Sequence, residues 1–282
     1  MTGEWHKLAA SDGTEVPVRV VEATDSPKAY FLLLPALGIP ARFYRRLAEG
    51  LASEGVSTIL LEQRGHGESP HKPVRGSKFG YSDFLDVDIA AAREWAQEQA
   101  AGSLFFLGGH SLGGHLSSIA AGRDSEGIDG VVHIACGFPY TGLYTRSAAK
   151  KIRTLCWLIP PLCLFFGYFP GNRVGFGGRE YTRLMLDWRD WALHGTYDYG
   201  DVTGVEEDIA RYKGRVLSIS FEKDFFASDL AVEYSHSRLK NATVTTMKLG
   251  EAEQGKHLGH FDWARNPVGA VAAITNWMAS GR

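Results

Sequence analysis

The stretch from Leu104 to Gly114 constrains this chain more than any other. Leu104 to Leu107 is a continuous apolar run, the pattern of a strand covered on both faces. It leads directly into Gly109-His110-Ser111-Leu112-Gly113-Gly114, and a helical run follows from Leu112 to about Ala121. A chain that passes from strand to helix around one serine must bend sharply, and glycines on either side let the two elements approach closely. The serine then sits at the positive end of a helix dipole. A Gly-x-Ser-x-Gly pentapeptide recurs by chance in many chains; its place between a buried strand and a helix is what makes it informative.

The remaining pattern fits the same plan. Val16, Val18 and Val20 alternate as in a half-buried edge strand. Tyr30 to Leu34, Ser57 to Leu61, Val131 to Ala135, Val216 to Ser220 and Val244 to Leu249 are further strand candidates. Phe43, Leu47 and Leu51, and then Leu85, Ile89, Ala92 and Ala96, recur at helical spacing, and Asn266 is expected to cap a closing helix with Pro267 at its first position. Strands alternating with helices imply an α/β fold with a mainly parallel sheet covered on both sides. The alternation stops between residues 138 and 206, a segment rich in Tyr, Trp, Phe, Gly and Pro. A structureless loop of that length is uncommon, so it is read as an inserted lid, with core parts 1–137 and 207–282 on either side.

Composition excludes little and requires nothing unusual. With 282 residues, 44% of them hydrophobic, and a net charge of −2, the chain can bury an adequate core without disulfides or a structural metal. Near-neutral charge gives no reason to expect a nucleic-acid partner. Cys136, Cys156 and Cys163 lack zinc-ligand spacing and read as buried thiols in a reducing compartment. No signal peptide is visible, and the apolar stretch from Leu155 to Phe169 is short and interrupted by Pro160, Pro161 and Gly167, so a cytoplasmic protein is expected.

A serine hydroxyl attacks only if a base takes its proton. For a nucleophile on this type of turn the chain order is serine, acid, histidine. The strand Val216 to Phe221 ends in Glu222-Lys223-Asp224, which makes Asp224 the preferred acid and Glu222 the runner-up. His257 and His260 both follow the last strand; His260 is favoured because Gly259 lets its loop bend and Phe261 and Trp263 flank it. Ser111 is thus expected to be the nucleophile, His260 the base and Asp224 its orienting acid.

With these pieces placed, the chain resembles the α/β-hydrolase superfamily over nearly its full length. Glu62-Gln63-Arg64-Gly65-His66-Gly67-Glu68-Ser69 looks like that family's D-x-R-G-x-G-x-S loop, with glutamate for aspartate. The likeness extends to poorly characterised bacterial hydrolases near the monoacylglycerol-lipase-like and serine-aminopeptidase-like groups, through residues 35–44, Gly171 and Trp188-Arg189-Asp190-Trp191. The resemblance implies about eight strands, mostly parallel, with a lid after the sixth; no metal or organic cofactor is expected, because the triad supplies nucleophile, base and electrostatics. Many relatives carry His-Gly at the oxyanion loop, where this chain has Pro35-Ala36. The backbone N–H groups of Leu37 and Leu112 are the expected oxyanion donors, each worth roughly 3 kcal/mol when well placed.

Substrate is read only from the apolar lid. Its residues, Trp157, Trp188 and Trp191 among them, together with His110 of the elbow, are the candidate substrate-binding side chains. They imply a small-molecule ester with an apolar acyl or aromatic group. Thioester or amide hydrolysis, acyl transfer, and a non-catalytic binding protein on the same scaffold are the alternatives. A lipid-surface patch is disfavoured at this stage, for want of a basic amphipathic face.

Overall fold

The computed structural model describes residues 3–198, 200 and 202–281. Eight strands form one sheet: β1 (Glu4–Ala9), β2 (Glu15–Val21), β3 (Ala29–Leu34), β4 (Val56–Leu61), β5 (Leu104–His110), β6 (Gly130–Ile134), β9 (Arg215–Phe221) and β10 (Thr243–Leu249). A two-stranded ribbon, β7 (Phe169–Pro170) and β8 (Arg179–Glu180), lies apart from it. The sheet order is β1-β2-β4-β3-β5-β6-β9-β10, antiparallel at β1–β2 and β2–β4 and parallel elsewhere. Strand β1 pairs along the outer side of β2, so β2 is an inner strand and not the expected edge, and its valines are buried in the core clusters.

Helices cover both faces. In chain order they are α1 (Arg45–Ser53), α2 (Tyr81–Asp83), α3 (Ala90–Gln99), α4 (Leu112–Arg123), α5 (Arg146–Phe166), α6 (Gly171–Val174), α7 (Thr182–His194), α8 (Val205–Arg211), α9 (Asp229–His236), α10 (Glu251–Gln254) and α11 (Val268–Ala279). One core cluster includes Leu32, Leu107, Leu116 and Ile119; the other includes Phe31, Leu47, Phe106 and Trp277. The closing helix starts one residue later than expected: Val268 is its first residue, Pro267 precedes it, and the Asn266 side chain makes no cap bond.

Two local features depart from simple periodicity. A π-helical turn, Phe84–Ile89, joins α2 to α3 and accommodates Asp88, which is buried against the Arg64 guanidinium. In α5 both Pro160 and Pro161 lie inside a continuous helix of 21 residues, where a break is expected. Pro160 has no N–H for the carbonyl of Cys156, and Arg189 Nε of α7 donates to that oxygen instead, at 3.2 Å. At Pro160, therefore, the partner helix supplies the missing donor. No helix of the described residues is long and apolar enough to cross a membrane.

Between β6 and β9, helices α5 and α7 pack on each other through Ile152, Cys156, Ile159, Met185, Trp188 and Ala192, a cluster separate from the two sheet cores. Helix α8, at the end of this segment, joins the sheet core through Val205 and Ile209. Cys136, Cys156 and Cys163 are buried free thiols.

Three interior histidines give the fold a pH dependence. Burial pushes the imidazoles of His110 and His133 well below their ordinary range and that of His115 down to about 4. Such a group binds fewer protons folded than unfolded, so its contribution is full above about pH 6.5 and is lost as pH falls toward 4. For His115 alone this amounts to about 2 kcal/mol by pH 5. Asp88 acts oppositely: burial raises it to about 6 despite Arg64, which returns about 1 kcal/mol over the same interval. Burial also raises the Glu62 carboxyl, which acts with Asp88, and lowers the His236 imidazole, which acts with the other three; the four imidazoles outweigh the two carboxylates. The urea midpoint of unfolding is expected to be lower at pH 5 than at pH 7 with an unchanged slope; equal midpoints would refute this account.

Candidate active site

The elbow is built by backbone crowding. Ser111 has φ +52° and ψ −114°, a conformation that side-chain-bearing residues rarely adopt. A Cβ on Gly109 would lie 2.3 Å from the carbonyl carbon of Gly113, and one on Gly113 would lie 2.1 Å from the Leu34 oxygen. Only glycine at both positions lets α4 pass this close to β5 and β3. The Ser111 N–H donates to the Ile134 carbonyl at 2.9 Å, which anchors the turn to β6.

The structure brings Ser111, His260 and Asp224 together. Ser111 Oγ is 3.1 Å from His260 Nε2, and His260 Nδ1 is 2.8 Å from Asp224 Oδ2. Asp224 Oδ1 accepts the N–H groups of Phe226 and Ala227, at 2.8 and 2.9 Å, so the turn after β9 orients the carboxylate. The His260 ring is held between Phe226, Phe261 and His110, with centroids 5.2, 4.7 and 4.9 Å away. The two runners-up lie elsewhere. Glu222 is exposed, and His257 faces Asp262 at 3.4 Å.

Leu37 and Leu112 both line the cavity beside Ser111. Leu112 is the first residue of α4, whose N–H has no acceptor within the helix. At the Pro35-Ala36 turn the Ala36 N–H is already occupied, donating to the Tyr44 hydroxyl at 2.9 Å. That hydroxyl also makes a hydrogen bond with His110 Nδ1, at 3.0 Å. Tyr44 is fully buried, and burial pushes its pKa far up, so it stays neutral. The resemblance through residues 35–44 takes in Tyr44 without giving it a role, and the helical spacing shows only that its neighbour Phe43 recurs with Leu47 and Leu51.

Glu62, which stands where the motif usually has aspartate, is also buried. It accepts the Ala41 N–H at 2.9 Å and the Glu68 N–H at 3.3 Å. A Cβ on Gly67 would fall 1.9 Å from its Oε2, which accounts for the glycine. Across the cleft, the buried Glu180 accepts the Gly178 N–H at 2.6 Å and lies 3.1 Å from His66 Nε2, tying the β7–β8 ribbon to the same loop.

Leu37, Tyr144, Phe176, Trp188, Trp191 and Phe226 are among the walls of a cavity of about 140 Å³ onto which Ser111 and His260 open. Trp188 and Trp191 thus occupy the position expected of them. His110 and Trp157 do not line it. His110 is sealed beneath the site by Tyr44, Phe261 and Trp263. Trp157 is 78% exposed, because α5 turns its other face to α7.

Comparison with known proteins agrees with this architecture. Residues 25–164 match the serine aminopeptidase S33 family model, just under half of the chain. A carboxyl esterase from Bacillus coagulans superposes with a TM-score of 0.69, 12% identity and 99% coverage of both chains. The chain has the α/β-hydrolase fold. A monoacylglycerol lipase from Paleococcus ferrophilus shares the fold at TM-score 0.60 and 19% identity, over 95% of this chain and all of that one. A serine hydrolase-like protein of Dictyostelium discoideum is 35% identical over 77 residues, which are 27% of this chain and 19% of that protein.

Replacing Tyr44 with Phe leaves the Ala36 N–H and His110 Nδ1 buried without a partner. A loss of about 2 kcal/mol or more in unfolding free energy is expected for Tyr44→Phe. Stability within 0.5 kcal/mol of wild type, as a rough bound for a neutral change, would show that the hydroxyl ties nothing together.

Proposed function

We propose that this hydrolase cleaves carboxylic esters with small apolar or aromatic acyl groups, through an acyl-enzyme on Ser111. The observation that carries the reading is the hydrogen-bonded chain from Ser111 Oγ through His260 to Asp224, opening onto an apolar cavity. Ser111 attacks the carbonyl carbon while His260 Nε2 takes its proton, and Asp224 holds the ring and offsets the imidazolium charge. The Leu112 and Leu37 N–H groups receive the developing oxyanion. His260 then protonates the leaving alcohol, and water, deprotonated by the same nitrogen, releases the acid. The segment between β6 and β9 serves as the lid of this site, with Trp188 and Trp191 as the acyl-side wall.

Polar side chains around the cavity are occupied with one another. His115 accepts from the Tyr197 hydroxyl and faces the Gly137 carbonyl, and the Tyr144 hydroxyl reaches the Phe226 carbonyl at 2.8 Å. A charged acyl group would find no counter-charge there. A dry cavity of about 150 Å³ holds a benzene ring, so benzoyl and short alkanoyl groups match the volume. Butanoyl and benzoyl esters are expected to exceed hemisuccinate esters at least tenfold in kcat/KM. A preference for charged acyl groups would refute the assigned substrate class.

A fluorophosphonate probe with intact-mass readout tests the nucleophile. One adduct is expected on wild type and none on Ser111→Ala or His260→Ala. Asp224→Asn favours the wrong imidazole tautomer, and a fall in kcat of about 10⁴ is expected with the fold intact. An unlabelled, folded wild type that still binds small apolar ligands would make the chain a binding protein on a hydrolase scaffold.

A further inference from the structure

The outer face of α5 is unusual in two ways at once. Ser147, Lys150, Lys151, Thr154, Trp157, Leu158, Pro161, Leu164 and Phe165 form one exposed stripe, opposite the buried Ile152, Cys156, Ile159 and Cys163. Trp157, Leu164 and Phe165 are 78%, 77% and 75% exposed, and Val74 of the neighbouring loop is 51% exposed. The helix thus changes along its length, from cationic at its start to aromatic and aliphatic at its end.

Charge is distributed to match. Residues 69–82 and 138–179 carry nine of the thirty Lys and Arg side chains, while all thirty-two Asp and Glu lie elsewhere in the sequence. Lys72, Arg75, Lys78, Arg146, Lys150, Lys151, Arg153, Arg173 and Arg179 are all exposed, and among the described residues none is in an ion pair. Arg75 donates to the carbonyls of Leu164 and Phe165, which fixes the basic loop beside the apolar end of α5.

We propose that this face docks the hydrolase on an anionic phospholipid bilayer, with Trp157, Leu158, Leu164 and Phe165 entering the acyl boundary and the surrounding cations resting on the headgroups. The apolar tip calls for a partner with an apolar phase, and the ring of cations calls for negative charge just above it. A second copy of the chain would bring like charges together, so self-association through this face is disfavoured. Helix α5 does not cross the bilayer; it lies in the interface. The basic part of the stripe, Lys150 and Lys151, is what sequence periodicity alone leaves unplaced. Docking sets the α5–α7 layer between bilayer and cavity, and it does not depend on the chemistry proposed for Ser111.

Co-sedimentation of the full chain with vesicles tests the proposal. Binding is expected to phosphatidylcholine vesicles containing 30% phosphatidylglycerol, as an order-of-magnitude anionic content of such a surface, and to be at least tenfold weaker to phosphatidylcholine alone. W157S/F165S and K150E/K151E are each expected to lose at least tenfold in vesicle affinity while keeping wild-type circular dichroism and thermal midpoint. S111A is expected to bind like wild type, which separates this proposal from the esterase reading. Equal binding to neutral vesicles, or undiminished binding by both double variants, would overturn it. So would absence of vesicle binding together with a dimer in sedimentation velocity that W157S/F165S abolishes, which would assign the face to a second copy.

Discussion

Everything in this molecule that bears on chemistry depends on one close backbone approach. Gly113 of α4 meets the Leu34 carbonyl of β3, and Gly109 of β5 meets Gly113, at separations that leave no room for a methyl group. That contact forces Ser111 to positive φ and sets the first turn of α4 beside the loop after β3. The Leu112 N–H comes from the first element and Leu37 from the second, so the same crowding brings the nucleophile and both candidate donors to one point. Strain of this kind costs about 1–3 kcal/mol and persists only where the surroundings over-determine it. Here the Ser111 N–H bond to Ile134 and the buried strands on either side supply that restraint.

The loops around the elbow have no such backbone geometry to hold them, and buried polar ties take its place. Tyr44 joins the Ala36 turn to His110 of the elbow; Glu62 joins the Ala41 turn to the loop at Gly67; Glu180 joins the β7–β8 ribbon to His66 of that same loop. Each tie links segments far apart in sequence. Each also lies in the interior, where an unmade bond costs more than a made one contributes. The loops are thereby specified one against another without any of these side chains touching the cavity.

What was legible in the sequence follows from this division. The central strands and the elbow announce themselves through continuous apolar runs and glycine spacing, because burial on both faces leaves no freedom of composition. Ser111, Asp224 and His260 were selected by chain order along the sheet edge, and they stand within hydrogen-bonding distance. Strand β1 escaped because Glu4–Ala9 is mostly exposed or half-buried and has no marked alternation. The π turn and the proline-bearing α5 escaped because their stability comes from Arg64 and Arg189, side chains on other elements. Tyr44 escaped for the same reason. A composition rich in aromatics gave the chemistry of the segment between β6 and β9 but not its facing, which is why Trp157 and Trp191 were grouped although they lie on opposite sides of the α5–α7 layer.

That layer explains why one apolar segment serves two surfaces. Helix α7 turns Trp191 to the cavity and packs Met185 and Ala192 on α5, with Trp188 reaching both; α5 has only one remaining face, and it is solvent-exposed. A single helix roofing the site needs no apolar outer face, and polar residues there would have cost nothing in packing. The outer face carries a tryptophan, a phenylalanine and leucines instead, against the general depletion of large exposed apolar side chains on monomers. Arg189 makes the coupling physical: it repairs the α5 backbone at Pro160 from within α7, so the outer stripe cannot shift without disturbing the helix that forms the cavity wall. That guanidinium and the apolar packing of α5 on α7 together hold the two faces of the layer in a fixed relation, as its two glycines hold the elbow.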